Sequence, residues 1–363
     1  MIKNLCAFMY TYNNESTIEK CLDSLKGIAT CICVTDMNSK DKTVEIINKW
    51  KESNDIYFTL KSAEFIDEST SNNKAFENAN MTYPNVEYYL YFKPTRILIN
   101  KGFDIDKLDK ETHILKIING KYRSIEACMF KMGKKWVSKG VVNAFWVCMD
   151  KTNESIVSEL EVIETHNDTQ EQLLEKIKLL EEGMKNAESD IVLSRYRYYM
   201  GLLCYNAKLY NKAVDVLKER IKSPGLIQDL YHSYFLLGMS LYRIAKDNAE
   251  TVSFLFSAYN NSPYKVESIY KIAKILRKRG QLNAAQLLLD SIRNIRFFYD
   301  TIPSNYYVNE FLIDLEYCLC CSQDIFKKKE GYYIFVNLLD KKDMMNKKQL
   351  ELLESLKSVY FSL

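Results

Sequence analysis

Asp36, Ser39, Asp41 and Thr43 fall in one short window after an apolar run, Cys31-Ile32-Cys33-Val34. A carboxylate at the end of a strand can accept a hydrogen bond from a base N–H or a ribose hydroxyl. An aromatic in the loop after the first apolar run, Tyr12, can stack on a base. The same window serves a second purpose equally well, because Asp36, Asn38, Ser39 and Asp41 are good turn and helix-cap residues. A second chemical point is Lys93-Pro94-Thr95, directly after the strand-like run Tyr88-Tyr89-Leu90-Tyr91-Phe92. Open α/β sheets place ligands at the C-terminal ends of strands, so Lys93 puts a cation at such a position. As a plain loop residue, it is a solvated lysine.

Other chemistries find little support. His113, His166 and His232 lie far apart in the sequence and fall in different expected elements. Cys318 and Cys321 have Cys-x-x-Cys spacing, but no second pair or nearby histidine completes a zinc site. Cys31 and Cys33 share one face of a strand and read as small core residues. There is no phosphate-cradling glycine loop and no Gly-x-Ser-x-Gly elbow. Lys327-Lys328-Lys329 and Lys341-Lys342 read as solvated faces and turns. Five tyrosines crowded between Tyr196 and Tyr210 read as inter-helix packing, with an aromatic groove for a peptide or glycan as the sharper alternative.

The elements that must position these residues alternate strand and helix over the first 150 or so residues. Met1 to Cys6 runs into the first strand, 6–9. A helix follows over 16–25, capped by Ser16, then a strand at 31–34, a helix over 42–50 and a strand at 56–58. A short helix over 72–80 and a strand at 88–92 come next, with later strands at 114–118, 124–130 and 141–147. Such alternation implies a mainly parallel sheet. From His166 onward the patterning is helical. Gly201, Gly238 and Ala273 occupy equivalent small positions in three helix pairs: 193–206 with 211–222, 228–245 with 249–259, and 266–279 with 283–292. Ala213, Ala258 and Ala285 recur in the second helices. Spacings of 37 and 35 residues with small residues at the packing points resemble tetratricopeptide repeats, whose period is about 34. The expected domains are 1–163 and 164–363, with helices near 305–321, 332–339 and 348–361 closing the array.

At 363 residues the chain suits two domains. Its net charge of +3, from 50 basic and 47 acidic residues, argues against nucleic acid as the main partner. No apolar run approaches the ~18 residues that span a bilayer, and no signal-peptide pattern opens the sequence. Ten cysteines without a disulfide pattern fit a reducing, cytoplasmic setting.

Several of these segments together resemble glycosyltransferase family 2, in the subgroup that joins a GT-A domain to tetratricopeptide repeats. Met9-Tyr10-Thr11-Tyr12-Asn13-Asn14-Glu15-Ser16 with Cys21-Leu22-Asp23-Ser24-Leu25 is similar to the family's opening strand, loop and helix. Asp36-Met37-Asn38-Ser39-Lys40-Asp41-Lys42-Thr43 resembles its Asp-x-Gly-Ser-x-Asp-x-Thr pattern, with Asn38 for Gly; Asn tolerates the left-handed backbone a turn needs. Glu164-Thr165-His166 and Ser262-Pro263-Tyr264-Lys265-Val266-Glu267 are similar to its linker and a repeat stretch, where Lys265 and Glu267 read as helix-start and inter-repeat contacts. The resemblance implies that Thr11, Tyr12 and Asp36 hold the nucleotide of a UDP- or GDP-sugar.

The family's later motifs are replaced. Lys93-Pro94-Thr95 stands where an Asp-x-Asp pair would bind a divalent metal, so Lys93 would repel a metal or bind diphosphate directly. Asn143-Ala144 stands where His-Glu would serve, after Trp136 and Gly140, and neither replacement can act as a base. Ser71 stands where an Arg often precedes Asn72. The expected architecture is a GT-A-like α/β domain followed by an all-α repeat domain, with no divalent metal. Two functions follow. One is metal-independent transfer of a nucleotide sugar to a protein or glycan acceptor. The other is a pseudo-glycosyltransferase that grips a protein partner on its repeats. Catalytic residues stay unassigned.

Overall fold

The computed structural model describes residues 4–246, 249–324 and 326–361; Met1, Ile2 and Lys3, at the head of the expected first strand, lie outside them. The chain divides into two compact units, Met1–Ala207 and Lys208–Leu363.

The first unit runs β1 (Leu5–Thr11), α1 (Ile18–Ser24), β2 (Cys31–Asp36), α2 (Thr43–Glu52), β3 (Tyr57–Ser62), α3 (Glu68–Thr82) and β4 (Tyr88–Tyr91). It continues with β5 (Arg96–Asn100), β6 (Thr112–Asn119), β7 (Tyr122–Lys131), β8 (Trp136–Lys139), β9 (Phe145–Cys148) and β10 (Glu154–Glu164), then α4 (Gln170–Lys185) and α5 (Asp190–Asn206). The main sheet has the order β3-β2-β1-β4-β7-β6-β10-β5. The half containing β3, β2, β1 and β4 is parallel, as short strand-helix-strand crossovers require. Beyond β4 the pairing turns antiparallel, except for β6 with β10. β8 and β9 form a separate hairpin.

The parallel strands are buried on both faces, which is why they read as apolar runs. Leu5, Ala7, Met9, Ile32, Val34, Tyr88 and Leu90 face one core with α1 and α2. Cys6, Phe8, Cys31, Cys33, Tyr89 and Tyr91 face the other with α3 and Trp136. The paired cysteines 31 and 33 are thus core residues, as their spacing suggests. All ten thiols are free, and all but Cys148 are buried.

Three local expectations need correction. Ser16 does not cap α1: the helix starts at Ile18, and the Asn14 carbonyl accepts the N–H groups of Thr17 and Ile18 at 3.0 Å each. The expected strand 141–147 is a turn followed by a shorter strand, because Gly140 (φ 104°) and Asn143 (φ 50°) hold left-handed backbone that no strand continues. α3 begins four residues earlier than its apolar pattern suggests, since the Asp67 side chain accepts the Thr70 N–H at 2.7 Å and opens the helix. The sheet ends at Glu164, where the helical patterning begins. α4 and α5 group with it: Arg195 stacks on the Phe145 ring at 3.9 Å, and Gly183 leaves room for Val141.

The second unit is helical: α6 (Tyr210–Arg220), α7 (Ile227–Ile244), α8 (Ala249–Asn261), α9 (Glu267–Lys278), α10 (Leu282–Ile292), α11 (Ile313–Cys321), α12 (Lys328–Leu339) and α13 (Lys347–Tyr360). α7 packs on α8 and α9 on α10, two of the three expected pairs. A Cβ at Gly238 would sit 3.0 Å from Leu255 Cγ and 3.1 Å from the Thr251 carbonyl, so this small residue sets how closely α7 and α8 approach. Ala258, Ala273 and Ala285 are fully buried at the matching points. Lys265 and Glu267 tie neighbouring helices together. The Lys265 ammonium meets Asp300 at 3.0 Å, and Glu267 accepts from Tyr231 Oη at 3.2 Å and from the Asn305 N–H at 3.1 Å. Among the described residues no helix is long and apolar enough to cross a membrane.

Candidate functional site

The parallel strands β1, β2 and β4 end at one edge of the sheet, and the loops there carry the residues singled out by sequence. Two of these loops are stitched to each other. The Asn13 N–H donates to Ser39 Oγ (3.0 Å) and the Lys40 N–H to Asn13 Oδ1 (2.7 Å). The Asn14 N–H donates to Thr43 Oγ1 (2.7 Å), the Glu15 N–H to Asp41 (3.0 Å) and the Lys42 N–H to Glu15 (2.9 Å). Asn13 (φ 54°) and Asn38 (φ 58°) both adopt the left-handed backbone that lets the loops face each other.

Asp36 belongs to this clasp. It is 5% exposed, and its two carboxylate oxygens accept the Ser39 hydroxyl (2.5 Å) and the Ser39 N–H (3.1 Å). Asp41 accepts from the Thr43 N–H and hydroxyl. Burial presses its carboxyl upward, but those bonds and the Glu15 N–H hold it below the usual carboxylate range. Thr11 is fully buried, and its hydroxyl donates to Asn14 Oδ1 at 2.9 Å. Tyr12 is 43% exposed. The Phe65 ring lies on it with centroids 5.5 Å apart and planes 16° from parallel, so one face of Tyr12 is already covered. Phe65 follows β3 on a segment anchored by the bond from the Ala63 N–H to the Asp36 carbonyl (2.9 Å). No sequence pattern points to Phe65; only the register of β3 brings it to Tyr12.

Lys93 is half-buried, Pro94 is buried, and Arg96 is 4% exposed. Arg96 bridges Glu126 at 2.5 Å and Glu164 at 3.1 Å. Burial works against ionisation of Glu126, but the charges of Arg96 and then Lys93 outweigh it and hold the carboxyl down to about 2. The charge of Lys93 thus acts on a carboxylate of its own chain. The Thr95 carbonyl accepts both the N–H (3.0 Å) and hydroxyl (2.5 Å) of Thr165. Arg96, Glu126 and Glu164 sit on three different strands and have no motif in common, which is why the sequence does not group them.

The turn between β8 and β9 carries Asn143 and Ala144. The Ala144 N–H donates to the Glu68 carboxylate at 3.1 Å, while the Glu68 N–H donates to the Val141 carbonyl at 3.2 Å. Glu68, from the first turn of α3, thus pins the turn where a His-Glu pair is expected from the family. Burial, then the Glu68 charge, pushes the nearby Tyr10 phenol well above its ordinary value. Asn72 donates to Ser138 Oγ (3.0 Å), and Asn73 exchanges two bonds with the Ser138 main chain. The structure so joins Thr11, Tyr12 and Asp36 through Asn13, Asn14 and Ser39. Among the described residues Lys93, Thr95, Asn143 and Ala144 make no hydrogen bond to that group. A divalent metal does not fit this edge: a lysine and a threonine stand in the ligand positions. No group of three or more His, Cys, Asp or Glu among the described residues is placed to hold a metal ion.

The sequence pattern of glycosyl transferase family 2 matches residues 6–83, from β1 to the end of α3. No curated protein sequence matches the chain. Among solved structures the chain is similar to a tetratricopeptide repeat protein from Parabacteroides merdae (13% identity, 52% of this chain and 68% of that one, TM-score 0.39). It is also similar to MamA from Desulfovibrio magneticus (15%, 53% and 87%, TM-score 0.29) and to S. aureus TarS 1-349 in complex with UDP (12%, 86% and 89%, TM-score 0.28). Residues 6–83, on the parallel half of the sheet, thus match the glycosyl transferase family 2 pattern, and an array of helix pairs follows them in sequence.

Proposed function

We propose that this is a non-transferring relative of the family 2 glycosyltransferases, an interaction protein whose helical array holds a protein partner. The observation that carries the reading is the Phe65 ring stacked on Tyr12. One of the two aromatic faces open to a base is occupied by the protein itself. Asp36 is turned to Ser39 in the same way, and the charge of Lys93 helps hold the Glu126 carboxyl ionised. Two chemical positions, Lys93 with Thr95 and Asn143 with Ala144, hold neither a carboxylate nor an imidazole to coordinate a metal or act as a general base.

The test is thermal unfolding with UDP- and GDP-sugars, each with and without manganese. A ligand that binds the native state alone raises the melting temperature. The expected result is no shift in any combination and no sugar released or transferred. A shift that requires manganese would overturn the reading.

The exposed ring of Tyr12 favours one second reading: retained nucleotide binding without metal, with Lys93 neutralising the diphosphate. It predicts a manganese-independent shift that Asp36→Ala abolishes.

A further inference from the structure

One face of α12 combines aromatic surface with uncompensated charge. Gly331, Ile334, Phe335 and Leu338 point into the core. Lys329, Tyr333 and Val336 lie on the outer face, with Tyr333 60% exposed. Beside them a recess of about 440 Å³ is lined by Lys329, Tyr332, Tyr333, Tyr360 and Phe361. Its floor is rigid. Tyr360 Oη donates to the Cys318 carbonyl at 2.6 Å, and α12 approaches so closely at Gly331 that an added Cβ would meet the Tyr360 hydroxyl and come within 2.7 Å of Cys321 Cβ.

The charge is at the head of the same helix. Lys327, Lys328 and Lys329 have no ion-pair partner among the described residues. The neighbouring carboxylates are used elsewhere: Glu330 accepts from Tyr317 Oη (2.9 Å) and faces Arg293 (3.8 Å), and Asp324 accepts the Phe326 N–H (3.0 Å). No side chain caps α12. Three cations at the positive end of a helix repel its dipole, a position that an anion relieves.

We propose that this face docks an acidic peptide segment with one aromatic or branched aliphatic anchor. The anchor fills the recess, and flanking carboxylates meet Lys327, Lys328 and Lys329. This rests on the reading of the helical array as the working surface. A bilayer is disfavoured because the aromatic lining is concave, with Tyr360 only 1% exposed at its floor. A second copy across a two-fold axis would set the lysines of each copy near those of the other.

Selection of displayed random peptides on the full chain tests the proposal. Peptides with net negative charge and a single apolar anchor are expected to enrich. Their binding should fall about tenfold or more with Tyr333→Ser, and similarly with Lys328→Glu/Lys329→Glu, while the melting temperature holds. Raising salt from 50 to 300 mM should weaken binding several-fold. Enriched peptides that ignore both variants would overturn this face and leave the interaction reading standing. No enrichment, or enrichment of neutral or basic peptides, would overturn the proposal. So would Tyr333-dependent binding of the chain to vesicles of anionic phospholipid, or self-association lost in Tyr333→Ser. Stabilisation by a nucleotide sugar, in contrast, would strike the underlying reading.

Discussion

The loops after β1 and β2 follow the family pattern at all but Asn38, whereas the segment after β4 and the turn between β8 and β9 depart from it. The family match itself ends at residue 83, before β4 begins. What separates the two regions is where the polar atoms go. In the matching loops Asn13, Asn14, Ser39, Asp41 and Thr43 bond one another, and Asp36 bonds Ser39. Replacing buried Asp36 or Thr43 leaves a partner unsatisfied inside the protein. At Lys93, Thr95 and Ala144 the hydrogen bonds to the fold run through the main chain and not through the side chains. The retained signature is therefore a fold signature, and its agreement with the family does not by itself imply chemistry.

The strongest way to break this comparison is Arg96→Met. Arg96 lies three residues past Lys93, yet its guanidinium is what the fold uses there, joined to Glu126 and Glu164. Removing one partner of a buried ion network leaves uncompensated charge and costs about 3–5 kcal/mol. Urea unfolding followed by tryptophan fluorescence reads this unit alone, because Trp50, Trp136 and Trp146 all lie within it. A loss under about 1 kcal/mol would mean that the departed region carries no structural charge at all. The same network sets an acid dependence. With its pKa depressed to about 2, Glu126 stabilises the wild-type unit fully above the unfolded carboxyl value, roughly pH 4.3. That stability is lost as the pH falls from there towards 2. In Arg96→Met the loss over this window should be smaller.

A pair of threonines sharpens the contrast at intermediate size. Thr43 is fully buried, accepts the Asn14 N–H and donates to Asp41. Thr43→Val removes both bonds and should cost about 1–3 kcal/mol. Thr95 bonds through its carbonyl, so Thr95→Val should fall within about 0.5 kcal/mol of wild type in the same unfolding measurement. Equal costs at the two sites would remove the distinction between clasp and departed edge.

How far the sequence revealed this follows the same physics. The parallel strands were legible because burial on both faces makes unbroken apolar runs, and the helix pairs because small residues repeat at their contacts. β5 and β10 were not anticipated. Arg96 and Glu164 place charges in them, and those charges are tolerated only because the strands lie side by side and pair them. Residues 141–144 fall inside the expected strand 141–147 because Val141, Val142 and Phe145 are β-formers, and the left-handed Asn143 overrides them. Of the site, Asp36 and Tyr12 stood out by type and position. Phe65, Glu68 and Glu126, which decide what that edge can do, reach it only through tertiary register.

The smallest expected effect tests whether the clasp is family geometry in altered residues. Asn38 stands where the pattern has Gly, and its φ of 58° is the conformation that glycine adopts freely. Asn38→Ala forces a Cβ-bearing residue without a local polar group into that region and should cost about 1 kcal/mol. Asn38→Gly keeps the backbone and gives up only a long bond from Ser62 Oγ, at 3.4 Å, so it should stay within about 0.5 kcal/mol of wild type. The added freedom of glycine in the unfolded chain opposes the relief of strain, which keeps the net change near zero. If Asn38→Ala were as well tolerated as Asn38→Gly, the left-handed turn would not be what holds the two loops face to face. Agreement with the family at Asp36, Ser39, Asp41 and Thr43 would then need a reason other than the clasp, and a retained ligand is the first one to look for.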